Sequence, residues 1–549
     1  MTHSPPQIAP RSHLPTHEVE NQPAARTGAD LWQTDPMLRH YAQLSGADQA
    51  ALRSYGARMG SADLREAGAE SNRVPPKLET FDRTGRRIDE VRFHPGYHAL
   101  MQTSLTAGFS AAPWEGETKA GHSQHVAMVY MASQVEPGHT CPLVMTYAAV
   151  PALAANAPAL AATWGPKLTA RAYDTTIAPI GRKSAATMGM AMTEKQGGSD
   201  VRANTTRAVA DPASGEGAYR LRGHKWFCSA PMCDGFLTLA QAPEGLTCFL
   251  VPRWLEGERN AIQIMRLKEK LGNRANASSE IEYHDALAYR VGDAGRGVKT
   301  IIEMVHHTRL GTSVAPAGLM RGALAEAKYW VEGRRTFQRR LIDQPMMRAV
   351  LADLALDLEG TAALAFRLGR AFDSDSDADR AFARIAVALA KFLGNKLCPN
   401  VIYEAMECLG GVGYTDDTPL PMLFRESPLN SIWEGSGNVI CLDVMRALAR
   451  DQAAREALQN ALAAVAGESR AYDAALATHL SRWPGLPDEG EARWFVESLA
   501  TLLTAATLLT DAPAAVAGGY IATRLGETGR GRVYGAVSGL ETDAILERL

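Results

Sequence analysis

A mainly helical α+β protein is what this sequence predicts, with one β domain inserted between helical regions. Three textures support it. Apolar residues recur at helical spacing from Met37 to about residue 180. Short runs rich in β-branched and aromatic residues follow from Met188. Helical spacing then returns at Gly297.

Residues 1–36 are polar and proline-rich with little periodicity, and read as an extended arm. Residues 37–187 form an N-terminal helical domain. There Met128, Met131, Ala132 and Val135 share one face, and Leu143, Tyr147 and Val150 repeat the pattern. The β domain spans 188–292. Its runs at 219–227, 236–240, 246–251, 262–267 and 279–283 are divided by turn signals such as Asp211-Pro212 and Pro243-Glu-Gly245. A small barrel or a sandwich would suit runs this short. Residues 293–449 carry long helices with short connections, and the stripe Met347, Val350, Leu351, Leu354 and Leu358 marks a helical bundle. An alanine-rich region, 450–549, forms an additional C-terminal helical domain, broken at 484–491 and 526–532.

Composition narrows the function classes. A chain of 549 residues, 46% hydrophobic and 21% charged, is ordinary globular protein of about two to four domains. The net charge of −3 marks no global attraction to nucleic acid, so any basic surface is local. Seven cysteines, at 141, 228, 233, 248, 398, 408 and 441, form no CxxC pair. That suits a reducing compartment, and no metal site is expected. The best apolar stretch, 499–509, falls short of the roughly 20 residues a membrane span needs. The N-terminus lacks a secretory apolar run, so a cytoplasmic protein with no membrane partner is expected.

Chemistry concentrates in a few segments. Ala191-Met-Thr-Glu-Lys-Gln-Gly-Gly-Ser-Asp-Val-Arg-Ala203 reads as a strand leading into a turn. Gly197 and Gly198 permit close backbone approach there, and Thr193 and Ser199 supply hydroxyls. The amides could line an anion-binding concavity, or the segment could be a plain surface turn. Gly223-His-Lys-Trp-Phe-Cys-Ser229 offers the flat indole of Trp226, suited to a planar ring or to core packing. Glu407-Cys-Leu-Gly-Gly-Val-Gly-Tyr414 follows a helix and lacks G-x-G-x-x-G, which excludes a dinucleotide fingerprint. Ile432-Trp-Glu-Gly-Ser-Gly-Asn438 puts a carboxylate, Glu434, just before a helix that it could cap. His306 and His307 point in different directions on a helix and read as structural or surface residues.

Together these segments resemble the acyl-CoA dehydrogenase family, over residues from about 90 to 449. Helical, β, then a four-helix bundle is that family's domain order. The resemblance implies FAD. Met192, Thr193, Gly198 and Ser199 match residues holding flavin ring and pyrophosphate, and Trp226 matches the tryptophan packed on the flavin, with Phe227 beside it. Cys228 stands where relatives carry a threonine that touches flavin N5, with Ser229 adjacent. Gly333-Arg-Arg-Thr-Phe337 resembles the family's R-x-x-F-G, which reaches a neighbouring subunit's FAD. Arg334 would fork onto pyrophosphate there and Phe337 would pack beside it, with Gln338 in place of the usual glycine. Glu407 and Gly411 match contacts to a neighbour's adenosine half. Arg425-Glu426 matches a later R-D, while Met422 replaces an expected basic residue. Glu434 matches the catalytic base that removes a thioester's α-proton as hydride leaves the β-carbon. Thr308 matches the alternative base position and cannot serve there. Ser436 and Asn438 match FAD contacts. Trp433, where tyrosine is common, belongs to the same cofactor-contacting stretch and would reshape the acyl pocket.

Stretches at 17–23, 91–95, 192–200, 267–274 and 430–438 are similar to the AidB branch of that family, the bacterial alkylation-response flavoproteins. This likeness includes the arm and the added C-terminal helices. It implies a FAD-containing homotetramer that protects DNA from alkylating agents and binds double-stranded DNA through the C-terminal region. Acyl-CoA dehydrogenase activity would be weak at most. The alternative is a working dehydrogenase of a branched or otherwise unusual acyl-CoA. Residues 450–549 hold nine arginines, no lysine and thirteen acids. Arg524, Arg530 and Arg532 are the local cluster through which phosphates would be met.

Overall fold

In the computed structural model of the protein, residues 8–116, 119–526, 531 and 533–549 are described. The arm ends at Asp35, whose carboxylate accepts the Leu38 N–H at 2.9 Å and caps the helix Pro36–Leu44. Helices Gln49–Met59, Ala62–Arg73, Pro95–Thr106, Gly121–Ala132, Thr140–Asn156 and Pro158–Leu168 follow. One element departs from the helical expectation for 37–187. It is an antiparallel hairpin, Lys77–Phe81 with Arg87–Arg92, turned through Gly85 at φ +83°. Its strands are rich in charge and bury little, so they carry no apolar stripe for periodicity to detect.

The β domain uses the strands Met188–Ala191, Arg207–Ala210, Ala218–Ser229, Gly235–Ala242, Gly245–Pro252, Ile262–Leu267 and Ser278–Val291. Ser278–Val291 pairs with Ala218–Ser229 and, further along, with Gly245–Pro252. Gly245–Pro252 pairs with Gly235–Ala242, which meets Arg207–Ala210, which returns to Ala218–Ser229. The pairing therefore closes a ring, which selects the barrel over the sandwich. Met188–Ala191 lies parallel to Gly235–Ala242 at its edge and leads straight into the turn at 192–199. Leu221, Phe236, Phe249 and Tyr283 fill the interior, and the helix Thr140–Asn156 packs Tyr147 and Leu153 into the same core.

Gly297–Gly333, Pro345–Asp373, Asp377–Cys408 and Gly437–Arg450 form the bundle. Asp377–Cys408 is long and apolar enough to cross a membrane by length and composition. However, 78% of its most apolar window is buried inside the fold, which identifies it as the bundle's inner helix. Helices Gln452–Ala463, Arg470–Arg482, Ala492–Asp511, Ala514–Arg524 and Thr542–Leu546 complete the chain. Ala492–Asp511 packs on both Pro345–Asp373 and Asp377–Cys408, so the C-terminal helices extend the bundle's core rather than building one of their own.

A buried guanidinium ties both ends of the chain to this core. Arg321 lies 3.0 Å from the Asp35 carboxylate and donates to the main-chain oxygens of Thr34 at 2.8 Å and Leu549 at 2.7 Å. Tyr130 donates to the same carboxylate at 2.8 Å. Arg321→Met would leave Asp35 buried without its cation, and the expected loss in unfolding free energy is about 3–5 kcal/mol, read by denaturant titration.

Candidate flavin and acyl site

The turn after Met188–Ala191 is organised by a buried ion pair that its motif did not announce. Glu194 and Lys225 are both fully buried, with Nζ 2.7 Å from Oε1. The Glu194 carboxylate also accepts the N–H groups of Thr205 at 2.7 Å and Thr206 at 3.2 Å. Lys225 donates to Leu239 O at 2.8 Å, and Trp226 N–H donates to Thr193 O at 2.7 Å. Burial acts to raise the carboxyl's proton affinity, but Lys225 and the donors override it and hold Glu194 at about 2. Burial pushes Lys225 down to about 8, against the attraction of Glu194. A side chain on Gly198 would place its Cβ 2.6 Å from the Thr193 hydroxyl, so glycine is required where backbone crowds Thr193. Met192 and Thr193 are half-buried, whereas Gly198 and Ser199 are exposed.

Beside the turn, the half-buried Trp226 is ringed by cations. Lys268 Nζ lies 3.3 Å from its ring centroid, and Lys195 and Arg266 lie at 5.7 Å. Lys268 Nζ caps one face of the indole, and Lys268 and Arg266 are both paired with Glu280 at 2.6 Å, so only the opposite face could take a planar ring. Phe227, also on this strand, is 47% exposed. The expectation for Cys228 needs correction. A bulge at 226–227 turns its thiol into the barrel core, where it is fully buried and burial pushes it up to about 12. Ser229, half-buried, offers its hydroxyl on the other side, toward the Cys141 thiol.

Glu434 occupies a strained loop between Asn430 and the helix Gly437–Arg450. Its backbone has φ +56°, unusual for a residue with a side chain, and Gly435 follows at +102°. Lys391, buried on Asp377–Cys408, braces the loop by donating to Asn430 O at 3.0 Å and Gly435 O at 2.7 Å. Burial pushes Lys391 down to about 7. Arg309 donates to Glu434 O at 3.2 Å and to Asp443 at 2.6 Å. The Thr308 hydroxyl donates to the Glu434 carboxylate at 2.8 Å. Burial raises the proton affinity of Glu434, while Thr308, Lys391 and Arg309 oppose it. A carboxylate so placed can accept a proton and release it again. The Cys141 thiol, at the start of Thr140–Asn156, is buried, and burial pushes it up to about 12. Trp433 is pinned by its Nε1–H to Asn430 Oδ1 at 2.8 Å and packs against the β-domain core. Ser436 holds the N-cap position, and Asn438 Oδ1 accepts from Arg493 of the C-terminal helices at 2.8 Å.

The remaining predicted positions are surface features. Arg334 precedes a hairpin, Arg335–Thr336 with Arg339–Arg340, whose turn residues Phe337 and Gln338 have φ +49° and +67°. The usual glycine would fit this turn freely, and Gln338 adopts it under strain. Phe337 is 92% exposed at the tip. The arm grips this hairpin, with Arg334 donating to Asn21 O, Asn21 Nδ2 donating to Arg335 O at 2.8 Å and Arg335 N–H donating to Asn21 Oδ1 at 2.7 Å. Glu407 and Gly411 lie exposed at the end of Asp377–Cys408 and in the turn after it.

Comparison with known proteins fits this layout. The description "adaptive response protein AidB N-terminal domain" matches residues 21–175, the acyl-CoA dehydrogenase middle domain matches 189–286, and that family's C-terminal domain matches 295–449. The putative acyl-CoA dehydrogenase AidB of Escherichia coli is 44% identical over 469 residues, 84% of this chain and 86% of that one. This chain belongs to the AidB-type acyl-CoA dehydrogenase family. Acyl-CoA dehydrogenase family member 11 of Caenorhabditis elegans is 32% identical over 72% of this chain and 66% of its own. A structure of Caenorhabditis elegans ACDH-11 in complex with C11-CoA superposes with a TM-score of 0.82, at 26% identity and 93% coverage of each chain. A second structure, Bd2924 in its apo-form, gives 0.81 at 28% identity, covering 88% of this chain and 98% of that one.

Within this family member, the fold joins the turn to Trp226 and joins Glu434 to Thr308. Sequence reasoning missed Glu194, Lys225, Lys391 and Arg309, which act through backbone atoms and buried charge. Glu426 was noted only as a motif match. It is buried near Glu136, pushed up to about 8 by burial, and accepts the Asn273 N–H, tying the loop at 267–274 to the bundle. The histidine pair is packed, with His306 stacked on Phe372 at 4.7 Å and held neutral by burial, in keeping with a structural reading. Arg524 does not face solvent. It is 7% exposed and paired with the buried carboxylates of Asp353 and Asp357, so it presents no open charge to a phosphate. Arg530 and Arg532 lie outside the described residues.

The Glu194 carboxylate is held below its unfolded value of about 4.3, so its contribution to stability is complete above that pH and fades as pH falls toward about 2. Glu194→Gln should remove this part of the acid dependence and cost about 3–5 kcal/mol near neutral pH, because Lys225 stays buried without a counter-charge. Denaturation midpoints of both proteins across that pH range test the claim.

Proposed function

We propose that this chain is a FAD-dependent flavoprotein that takes an acyl-CoA thioester and removes its α-proton with Glu434. The carrying observation is the Glu434 carboxylate, raised in proton affinity by burial and oriented by Thr308 at 2.8 Å. FAD fits the residues present. The glycine turn at 197–199, the Thr193 and Ser199 hydroxyls, and the uncapped face of Trp226 suit a planar ring and a pyrophosphate. FAD bound there would supply the acceptor for hydride leaving the β-carbon. An acyl-CoA dehydrogenase structure from Bacillus anthracis is described as complexed with FAD, and the Caenorhabditis elegans relative as complexed with C11-CoA.

The chain's own groups then have distinct tasks. Thr308 keeps the carboxylate turned into the site, Lys391 and Arg309 fix the backbone that carries it, and Trp433 limits the space beside it. With the Cys228 thiol in the barrel core, the adjacent Ser229 hydroxyl would be the group left to contact a bound flavin from this strand. The half-buried Arg334 and the exposed Phe337, Glu407 and Gly411 support a homotetramer in which each copy completes a neighbour's FAD site. Phe337 at a strained tip is the kind of apolar anchor that a second subunit covers.

A second reading, favoured by the 44% identity to AidB and the adaptive-response N-terminal match, is a cytoplasmic role in the alkylation-damage response with double-stranded DNA as partner. With Arg524 sealed, that role would fall to Arg530 and Arg532.

Anaerobic titration with short, branched and long acyl-CoAs should bleach the oxidised-flavin band with at least one thioester. Glu434→Gln should keep the yellow colour and lose bleaching by about 10²–10⁴-fold in rate. A flavin band stable against the whole panel would remove the dehydrogenase reading and leave the DNA role. That role predicts salt-sensitive duplex binding, weakened in the Arg530→Ala, Arg532→Ala double variant.

A further inference from the structure

An open groove of about 480 Å³ lies where the helices Pro36–Leu44 and Gln49–Met59 meet the end of the chain. Arg39, His40, Arg53 and Arg548 line it, with the amides of Gln43 and Gln49, and no carboxylate is among its lining residues. Two of the charged groups are already engaged. Arg548 forks onto Glu359 at 3.0 and 3.1 Å, and His40 Nε2 donates to Asp511 O at 2.6 Å. Asp35 and Asp48, the acids nearest in sequence, are also occupied, Asp35 by Arg321 and the Leu38 N–H and Asp48 in capping Ala50 and Ala51 at 2.9 and 3.1 Å.

Arg39 and Arg53 differ from these. Among the described residues neither makes an ion pair or a side-chain hydrogen bond, and Arg39 Nε is buried with no acceptor. Nε is enclosed by the protein, so what the groove can offer a ligand is the outer nitrogens of two guanidinium groups that no carboxylate neutralises. We propose that this groove is a binding site for phosphate groups, gripped by Arg39 and Arg53. Guanidinium groups fork onto paired phosphate oxygens, and the two glutamine amides can add donors. The volume lies within the ~300–1,000 Å³ common for small-ligand sites. Trp32, the large aromatic ring of the lining, is 1% exposed, so the groove offers no stacking face for a base. Recognition is therefore of phosphate oxygen, and inorganic pyrophosphate should bind about as well as ADP. The groove shares no residue with the flavin and acyl site and stands independently of the function proposed above.

The test is calorimetric titration of the flavin-loaded full chain with inorganic pyrophosphate at low salt, against Arg39→Gln, Arg53→Gln and the double variant. Saturable binding is expected, weakened about 10-fold or more by each substitution. Arg39→Lys, which keeps charge without the fork, should fall between wild type and Arg39→Gln. The unfolding midpoint of the double variant should not fall, since neither arginine has a partner to lose, which separates a lost site from a lost fold. A short DNA duplex is the second probe. Duplex binding that falls in the same variants makes a nucleic-acid backbone the source of the phosphate; binding of pyrophosphate alone makes it a soluble phosphate ester. Absence of pyrophosphate binding by wild type, or affinity unchanged in the double variant, overturns the proposal.

Discussion

The ion pair of Glu194 with Lys225 is the contact on which the flavin half of the site depends. It lies where an edge strand of the barrel ends and the turn at 192–199 must fold back without a regular ladder to follow. By accepting the Thr205 and Thr206 N–H groups, the carboxylate supplies the hydrogen bonds such a turn lacks. By anchoring Lys225 it fixes the strand that carries Trp226. Two fully buried charges are expensive to desolvate, and their persistence at this point argues for placement rather than stability alone.

The acid–base half obeys a different constraint. Glu434 is held in a left-handed backbone conformation that a side chain resists, and three cationic or hydroxyl groups hold the loop there. Because Lys391 and Arg309 grip carbonyl oxygens, they fix the loop while leaving the carboxylate itself to Thr308. Thr308 and Glu434 thus face each other as donor and acceptor across the helix Gly297–Gly333 and the loop.

The N-terminal arm and C-terminal helices are part of the same body. Asn21 matches its amide and carbonyl to the Arg334 hairpin, and Arg321 joins Asp35 to Leu549 within the core. The hairpin proposed to reach a neighbouring subunit is therefore set by a segment more than 300 residues earlier in the chain.

By itself the sequence determined the order of helical, β and helical regions, the positions of most barrel strands, and Glu434 as the residue of interest. Those features are local, written in apolar spacing, turn residues and short motifs. It gave no sign of the hairpin at 77–92, whose charged strands bury too little to leave a pattern. It also misplaced Cys228, because a single bulge at 226–227 exchanges the faces of the residues beyond it. Arg524 looked available to phosphate because its partners, Asp353 and Asp357, lie about 170 residues away in sequence. Tertiary structure alone decided which charges are buried and paired and which remain open. Spacing along the chain reports the face a residue occupies, whereas the neighbour that meets its charge comes from elsewhere in the fold.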